Sequence, residues 1–291
     1  MNKTLFLIFL VLGMAGWGYC SDVAIVSTQF ETATENGHVT IVKFTDTNFT
    51  GSVVAPPTIN GLPVTTIGRG SFMNCTYLTN VTIPDGVTSI ESYAFRQCRQ
   101  LASIVLPSTV TSIEGGAFDR CIRLRNITIP NKVTEIRDGL FKSCRGLTQI
   151  SIPASVTSIG NSSFAACSGL TSVRIPKKVR TIGDQTFYFC KGLNKVIFEG
   201  DAPLVGKEAF NHTDDTLTLY FQKGSKGFSS PIWTNSSGES LYCVVLEDSQ
   251  GSNRIADTMI SDQQGKTNRE SIDNPESGLR NTQESPTAGD R

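Results

Sequence analysis

Six of the eight cysteines fall on one 23-residue lattice: Cys75, Cys98, Cys121, Cys144, Cys167 and Cys190. A phenylalanine stands three residues ahead of each, at Phe72, Phe95, Phe118, Phe141, Phe164 and Phe187. A leucine stands three residues behind each, at Leu78, Leu101, Leu124, Leu147, Leu170 and Leu193. Self-similarity at a fixed period of this size marks a solenoid, in which each unit buries its apolar face by stacking on its neighbours.

Five repeats run without insertion from Leu78 to Gly192, with the pattern L-x-x-[IV]-x-[IL]-P-x-x-V-x-x-I-x-x-x-x-F-x-x-C-x-x. The apolar residues at places one, four and six supply a short strand. A proline follows (Pro84, Pro107, Pro130, Pro153, Pro176), where the chain must leave the ladder because proline has no N–H to give it. Val and Ile at places ten and thirteen make a second extended segment. The run before Phe and Cys, such as Ser92–Cys98, fits one helical or 3₁₀ turn. The fold class expected is a β-rich α/β solenoid with β caps at both ends, and coils about 4.8 Å apart.

Domain limits follow from where the pattern starts and fades. Residues 21–50 read as an N-terminal cap: Ile25–Phe30 and His38–Phe44 flank Asn36-Gly37, a pair suited to a tight hairpin turn. A longer first coil, Gly51 to Tyr77, opens a solenoid spanning 51–215. After Leu193 the proline place is taken by Glu199 and the cysteine place by Thr213. Thr216–Phe221 and Leu241–Leu246 then read as strands of a C-terminal cap over 216–246. Residues 247–291 hold few apolar side chains and read as a disordered tail. Residues 1–20 read as a secretory signal peptide: Lys3, an apolar run from Thr4 to Ala15, then small residues Gly16 and Gly18. No later segment is long and apolar enough for a membrane helix.

The repeat closely resembles that of the BspA-type leucine-rich-repeat family, LTSVTIPxxVTSIGxxAFxxCxx; Leu147–Gly169, LTQISIPASVTSIGNSSFAACSG, is nearly that string. Thr50–Leu78 and Val196–Phe210 are similar to the family's usual first and last coils. The resemblance implies leucine-rich repeats of 23 residues in an exported or surface-displayed protein. It also implies adhesion to host matrix proteins or cells. It supplies no binding residues, because the repeat motif contains none.

Candidate chemistry is sparse. The lattice cysteines share one inward place, so they read as a buried ladder of free thiols. Cys20 and Cys243 lie off the lattice, and Cys243 reads as a buried cap residue or an intermolecular thiol. There is no Cys-x-x-Cys for zinc, and His38 and His212 are the only histidines. No triad, phosphate loop or carboxylate pair stands out, so no catalytic residue, cofactor or metal is expected and the chain does not read as an enzyme.

Charge is uneven although the formal net charge is +0. Leu78–Gly192 carries 14 Lys and Arg against 7 Asp and Glu, whereas 247–291 carries 5 against 9. Arg96, Arg99, Arg120, Arg123, Arg125, Lys142 and Arg145 cluster after the Phe of three successive coils, with only Asp119 opposing them. Stacked guanidinium groups suit bidentate binding of sulfate, carboxylate or phosphate; the alternative is a solvated face that keeps the rod soluble. The partners expected are extracellular proteins or anionic glycans. Nucleic acid is disfavoured by export and by the want of interleaved aromatics. Seven Asn-x-Ser/Thr sequons follow the leader, at Asn48, Asn74, Asn80, Asn126, Asn161, Asn211 and Asn235, each a possible glycosylation site. The two function readings are a secreted or surface binding protein, acting in adhesion, and a self-associating matrix or coat component.

Overall fold

The computed structural model describes residues 29–246, which belong to one compact unit. The leader, Cys20 and the tail after Leu246 lie outside the described residues. Nineteen short strands are present: β1 (Phe30–Glu35), β2 (His38–Phe44), β3 (Gly51–Val54), β4 (Thr58–Ile59), β5 (Leu62–Ile67), β6 (Leu78–Thr82), β7 (Ser89–Ile90), β8 (Ser103–Val105), β9 (Ser112–Ile113), β10 (Glu135–Ile136), β11 (Gln149–Ile150), β12 (Ser158–Ile159), β13 (Ser172–Ile175), β14 (Thr181–Ile182), β15 (Lys195–Phe198), β16 (Leu204–Val205), β17 (Thr218–Gln222), β18 (Ile232–Thr234) and β19 (Ser240–Leu246).

The strands form two parallel ladders, one from each extended segment of the repeat. The first runs β3-β6-β8 and resumes as β11-β13-β15-β17-β19. Single bridges Ser103↔Asn126 and Thr128↔Ser151 span the coil between. The second runs β2-β5-β7-β9 and resumes as β10-β12-β14-β16. Their register repeats the lattice, as in Ser158↔Thr181 and Ile159↔Ile182. At the ends, β1 pairs antiparallel with β2 through Asn36 and Gly37, both at positive φ, and β18 folds antiparallel onto β19.

Between β9 and β10 the second ladder is open. A small cleft of about 30 Å³, room for one water, lies there among Thr111, Val133, Thr134 and Arg137. Across the same pair of coils the opposite edge stays closed, with Phe118 N–H donating to Leu140 O at 3.0 Å and Arg120 N–H to Lys142 O at 2.7 Å.

The expected helical turn is corrected: among the described residues there is no helix, so the α of the α/β expectation is absent. Ser92–Cys98 is instead a run of overlapping turns. Within the coil, Ala94 N–H donates to Glu91 O, Arg96 to Tyr93 O and Cys98 to Phe95 O, at 3.2, 3.0 and 3.1 Å. The alternate amides leave the coil. Tyr93, Phe95 and Gln97 donate to Gly115, Ala117 and Asp119 of the next coil, at 3.2, 2.8 and 2.8 Å. A helix would keep all its amides at home; here half form a third inter-coil ladder. The geometry needs left-handed backbone at the residues two before and two after the phenylalanine, and Tyr93 and Gln97 have φ of 61° and 62°.

Two side-chain columns hold the stack. The phenylalanine rings from Phe44 through Phe72 and the lattice members to Phe210 stack at centroid spacings of 5.0 to 5.5 Å. Beside them run the cysteines, free and buried. From Cys98 onward each Sγ–H donates to the carbonyl of the phenylalanine 26 residues earlier: Cys98 to Phe72, Cys121 to Phe95, Cys144 to Phe118, Cys167 to Phe141 and Cys190 to Phe164, all at 3.0 or 3.1 Å. The Phe95 carbonyl thus uses two lone pairs, one for the Cys98 amide of its own coil and one for the thiol of the next. Where Thr213 takes the cysteine place, its hydroxyl bends back to Phe210 O at 2.8 Å and the cross-coil bond is lost. Burial drives the thiols toward their neutral form: Cys75 and Cys190 are pushed up from 9.0 to about 12, and Cys98, Cys121, Cys144 and Cys167 are raised as well. Cys243 is a buried free thiol, pushed up to about 11 by the same cause.

Candidate functional site: the turn edge

The run of turns forms one long edge of the stack, and the repeat assigns its side chains to columns. Arg96, Asp119 and Lys142 each follow a column phenylalanine by one residue and so stand in line. Asp119 is 8% exposed, and the Arg96 guanidinium Nε lies 3.0 Å from its carboxylate. Burial raises the Asp119 carboxyl above its ordinary range, while Arg96, Arg120 and Lys142 pull it back. The lone acid of the cluster is thus a buried counter-ion, and it leaves the outer surface of the edge to the cations.

Arg99 and Arg145 share the column one place after cysteine, with Ile122 between them. Arg123 sits in the next column, and Arg120 two places after Phe118. All four are exposed, as is Lys142. Arg99 is steadied by a bond from Nη2 to Gln97 Oε1 at 3.3 Å. Arg125, also exposed, starts the strand segment: its amide donates to Ala102 O at 3.2 Å, and it stands off the turn columns.

Sequence reasoning missed the apolar partners on this edge. Met73, Tyr77, Tyr93, Ile122 and Phe189 are all exposed, and all occupy turn places. The Tyr93 ring lies under two guanidinium groups, Arg96 at 5.2 Å and Arg69 at 5.7 Å. Farther along, Phe189 stacks on His212 at 4.6 Å, and Lys191 lies 5.6 Å from the Phe189 ring. The premise that aromatics are not interleaved with the basic residues is therefore corrected. The signal was available: Tyr93 and Phe189 hold the two lattice places that flank the core phenylalanine.

His212 is engaged by Phe189 and the edge of Tyr188, and His38 is exposed on β2. Among the described residues no His, Cys, Asp and Glu gather to hold a metal ion, and no helix is long and apolar enough to cross a membrane. Six sequon asparagines are exposed, with Asn80 and Asn126 alike in their shared column. Asn235 is buried: its Nδ2 donates to Glu239 Oε2 at 2.8 Å, and its Oδ1 accepts the Ser237 and Glu239 amides. That amide nitrogen is closed to a glycan in the folded chain.

The profile of the BspA type Leucine rich repeat region matches the chain in 6 copies, over residues 44–171 and 159–243. The chain belongs to this family. Its stack of parallel coils also resembles solved bacterial leucine-rich-repeat structures. The leucine-rich repeat protein of T. pallidum is 29% identical, over 67% of this chain and 92% of its own, with a TM-score of 0.61. A leucine-rich repeat protein from Bacteroides ovatus is 24% identical, over 78% and 71%, with a TM-score of 0.50, and shows the shared fold. A leucine rich cell surface protein from Faecalibacterium prausnitzii is 29% identical over 61% and 55%, with a TM-score of 0.49. No curated protein sequence matches the chain.

Proposed function

We propose that this BspA-type repeat protein is an exported, non-catalytic binding protein that acts in adhesion, gripping an extracellular protein or anionic glycan along its turn edge. The observation that carries the reading is the interleaving of exposed cations with exposed Tyr77, Tyr93, Ile122 and Phe189 on one rigid edge. Cations alone are the ordinary dress of a soluble rod. Large apolar groups held beside them by an inter-coil hydrogen-bond ladder cost solubility, and they serve contact with a partner. In this reading residues 1–20 are the export leader, 51–215 the solenoid and 247–291 a tail. The hairpin β1–β2 and the β17–β19–β18 sheet cover the ends of the stack.

Retention on a heparin-like resin tests the reading. Wild type should be retained at low salt and released as salt screens exposed charges over about 10 Å at 0.1 M. Replacing Arg99, Arg123 and Arg145 by Ser should cut retention far more than replacing Lys43, Lys132 and Arg174, exposed cations outside both surfaces. Wild type that passes straight through at low salt would return the edge to a solvated face. Concentration-dependent self-association through the edge, abolished by Tyr93→Ser, would favour the matrix or coat reading.

A further inference from the structure

A second surface lies on loops that follow the first ladder, away from the turn edge. The loops after β13, β15 and β17, three adjacent parallel strands, border an open cleft of about 450 Å³. It is lined by Lys177, Lys178, Arg180, Glu199, Asp201 and Lys223.

The departure from the repeat builds it. In the five regular coils a proline closes the loop, as where the Val179 amide donates to Pro176 O at 3.0 Å. In the next coil Glu199 and Gly200 replace that closure. A Cβ on Gly200 would stand 2.7 Å from Lys177 Cα and 2.8 Å from its carbonyl oxygen. Glycine alone lets the second loop settle on the first. The third wall is fixed where the Lys223 amide donates to Leu246 O at 3.1 Å.

The two acids of the lining have partners of their own but keep their charge. Asp201 Oδ1 accepts the Lys226 amide at 2.8 Å, and Glu199 lies 3.9 Å from Arg174. Lys177, Lys178 and Arg180 form no ion pair among the described residues. Arg180 is nonetheless positioned, its Nη1 donating to Lys177 O at 3.4 Å. Lys177, Lys178 and Arg180 thus outnumber the two acids along an open cleft shaped by a repeat-breaking glycine, an excess of positive charge suited to an oxyanion. The geometry points to a binding site for one oxyanionic group, a sulfate, phosphate or carboxylate. It stands independently of the turn-edge reading.

Calorimetric titration of the full chain at low salt with inorganic sulfate, inorganic phosphate and glucuronate tests it and separates the three sources of the anion. At least one should bind saturably. Replacing Lys177, Lys178 and Arg180 by Gln should weaken that binding at least tenfold at an unchanged melting temperature. The Ser triple at Arg99, Arg123 and Arg145 should leave it within twofold. Gly200→Ala removes no charge but lifts one loop off the other, and it should also weaken binding. Should Gly200→Ala unfold the chain, the two triples still decide, since all six positions are exposed. Absence of saturable heat with all three probes, equal loss in both triples, or loss in the edge triple alone would overturn the site.

Discussion

Truncation of Phe118 is the sharpest test of how this stack is held. The ring is fully buried and lies between Phe95 and Phe141 at 5.5 Å on both sides, with interplanar angles of 4° and 6°. Phe→Ala in a core costs about 3–5 kcal/mol through lost transfer energy and the cavity left behind. Part of that sum is two stacked contacts worth ~0.5–1.5 kcal/mol each. For a chain of this size each kcal/mol moves the midpoint by roughly 2–4 °C, so Phe118→Ala should melt about 6–20 °C below wild type. Phe210 supplies the internal control, because it stacks on Phe187 alone, at 5.5 Å. Phe210→Ala lacks one of the two contacts and should be milder by about 1 kcal/mol. Thermal melts followed by circular dichroism read both variants. A Phe118→Ala midpoint within two degrees or so of wild type, or a Phe210→Ala variant as damaged as Phe118→Ala, would refute the idea that the column carries the stack.

Three further outcomes are expected. Alkylation in native buffer at neutral pH should label none of the six lattice cysteines, which are buried and held as neutral thiols, whereas unfolding should expose them all; intact-mass analysis counts the labels. Stability should fall at alkaline pH. Thiol pKa values raised by folding mean that the unfolded chain releases protons first, so the stabilisation is whole below pH 9 and is lost from there up to about 12, the value reached by Cys75 and Cys190, with a limiting slope of about 1.4 kcal/mol per pH unit for each thiol; a flat profile between pH 9 and 11 in urea titrations would contradict this. Asn161→Ala should cost about 1 kcal/mol, because it removes the Oδ1 that accepts the Asp184 amide at 2.8 Å, while the Asn161 backbone N–H keeps its bond to Asp138 Oδ1 at 2.7 Å; chemical denaturation measures the loss.

Much of the fold was legible because identical residues recur at identical depth. Leu101, Val110, Ile113, Phe118 and Cys121 stand on the lattice and are all buried. Phe44 escaped notice as the first ring of the column because 28 residues, not 23, separate it from Phe72. The extra length forms β4 and its pairing with β5. The turn edge was mistaken for helix for a different reason. Glycine, the usual signal for left-handed backbone, appears at Gly116 and Gly139, but Tyr93, Gln97, Arg120, Ala166 and Phe189 adopt it too. There the inter-coil hydrogen bonds impose a conformation that the residues would not choose alone. At the basic edge, location was legible but pairing was not. That Asp119 is a buried counter-ion to Arg96 depends on a neighbour 23 residues away in the next coil. The cleft at Lys177 was illegible for a like reason: its walls come from three coils, and what shapes it is the loss of a proline.

The open seam between β9 and β10 gives the molecule a spine and a fore-edge. Along the spine, phenylalanine rings, thiol–carbonyl bonds and crossing amides bind these two leaves as they bind their neighbours, and Cys144 reaches Phe118 at 3.1 Å. At the fore-edge no strand pairing joins them, and the exposed Arg137–Glu114 pair, 3.8 Å apart, spans the gap. A force that bends the rod toward its spine therefore finds no ladder to break at this one place. The stack is therefore hinged at this seam like a book on its binding, freer to gape along one side than at the laddered coils above and below it.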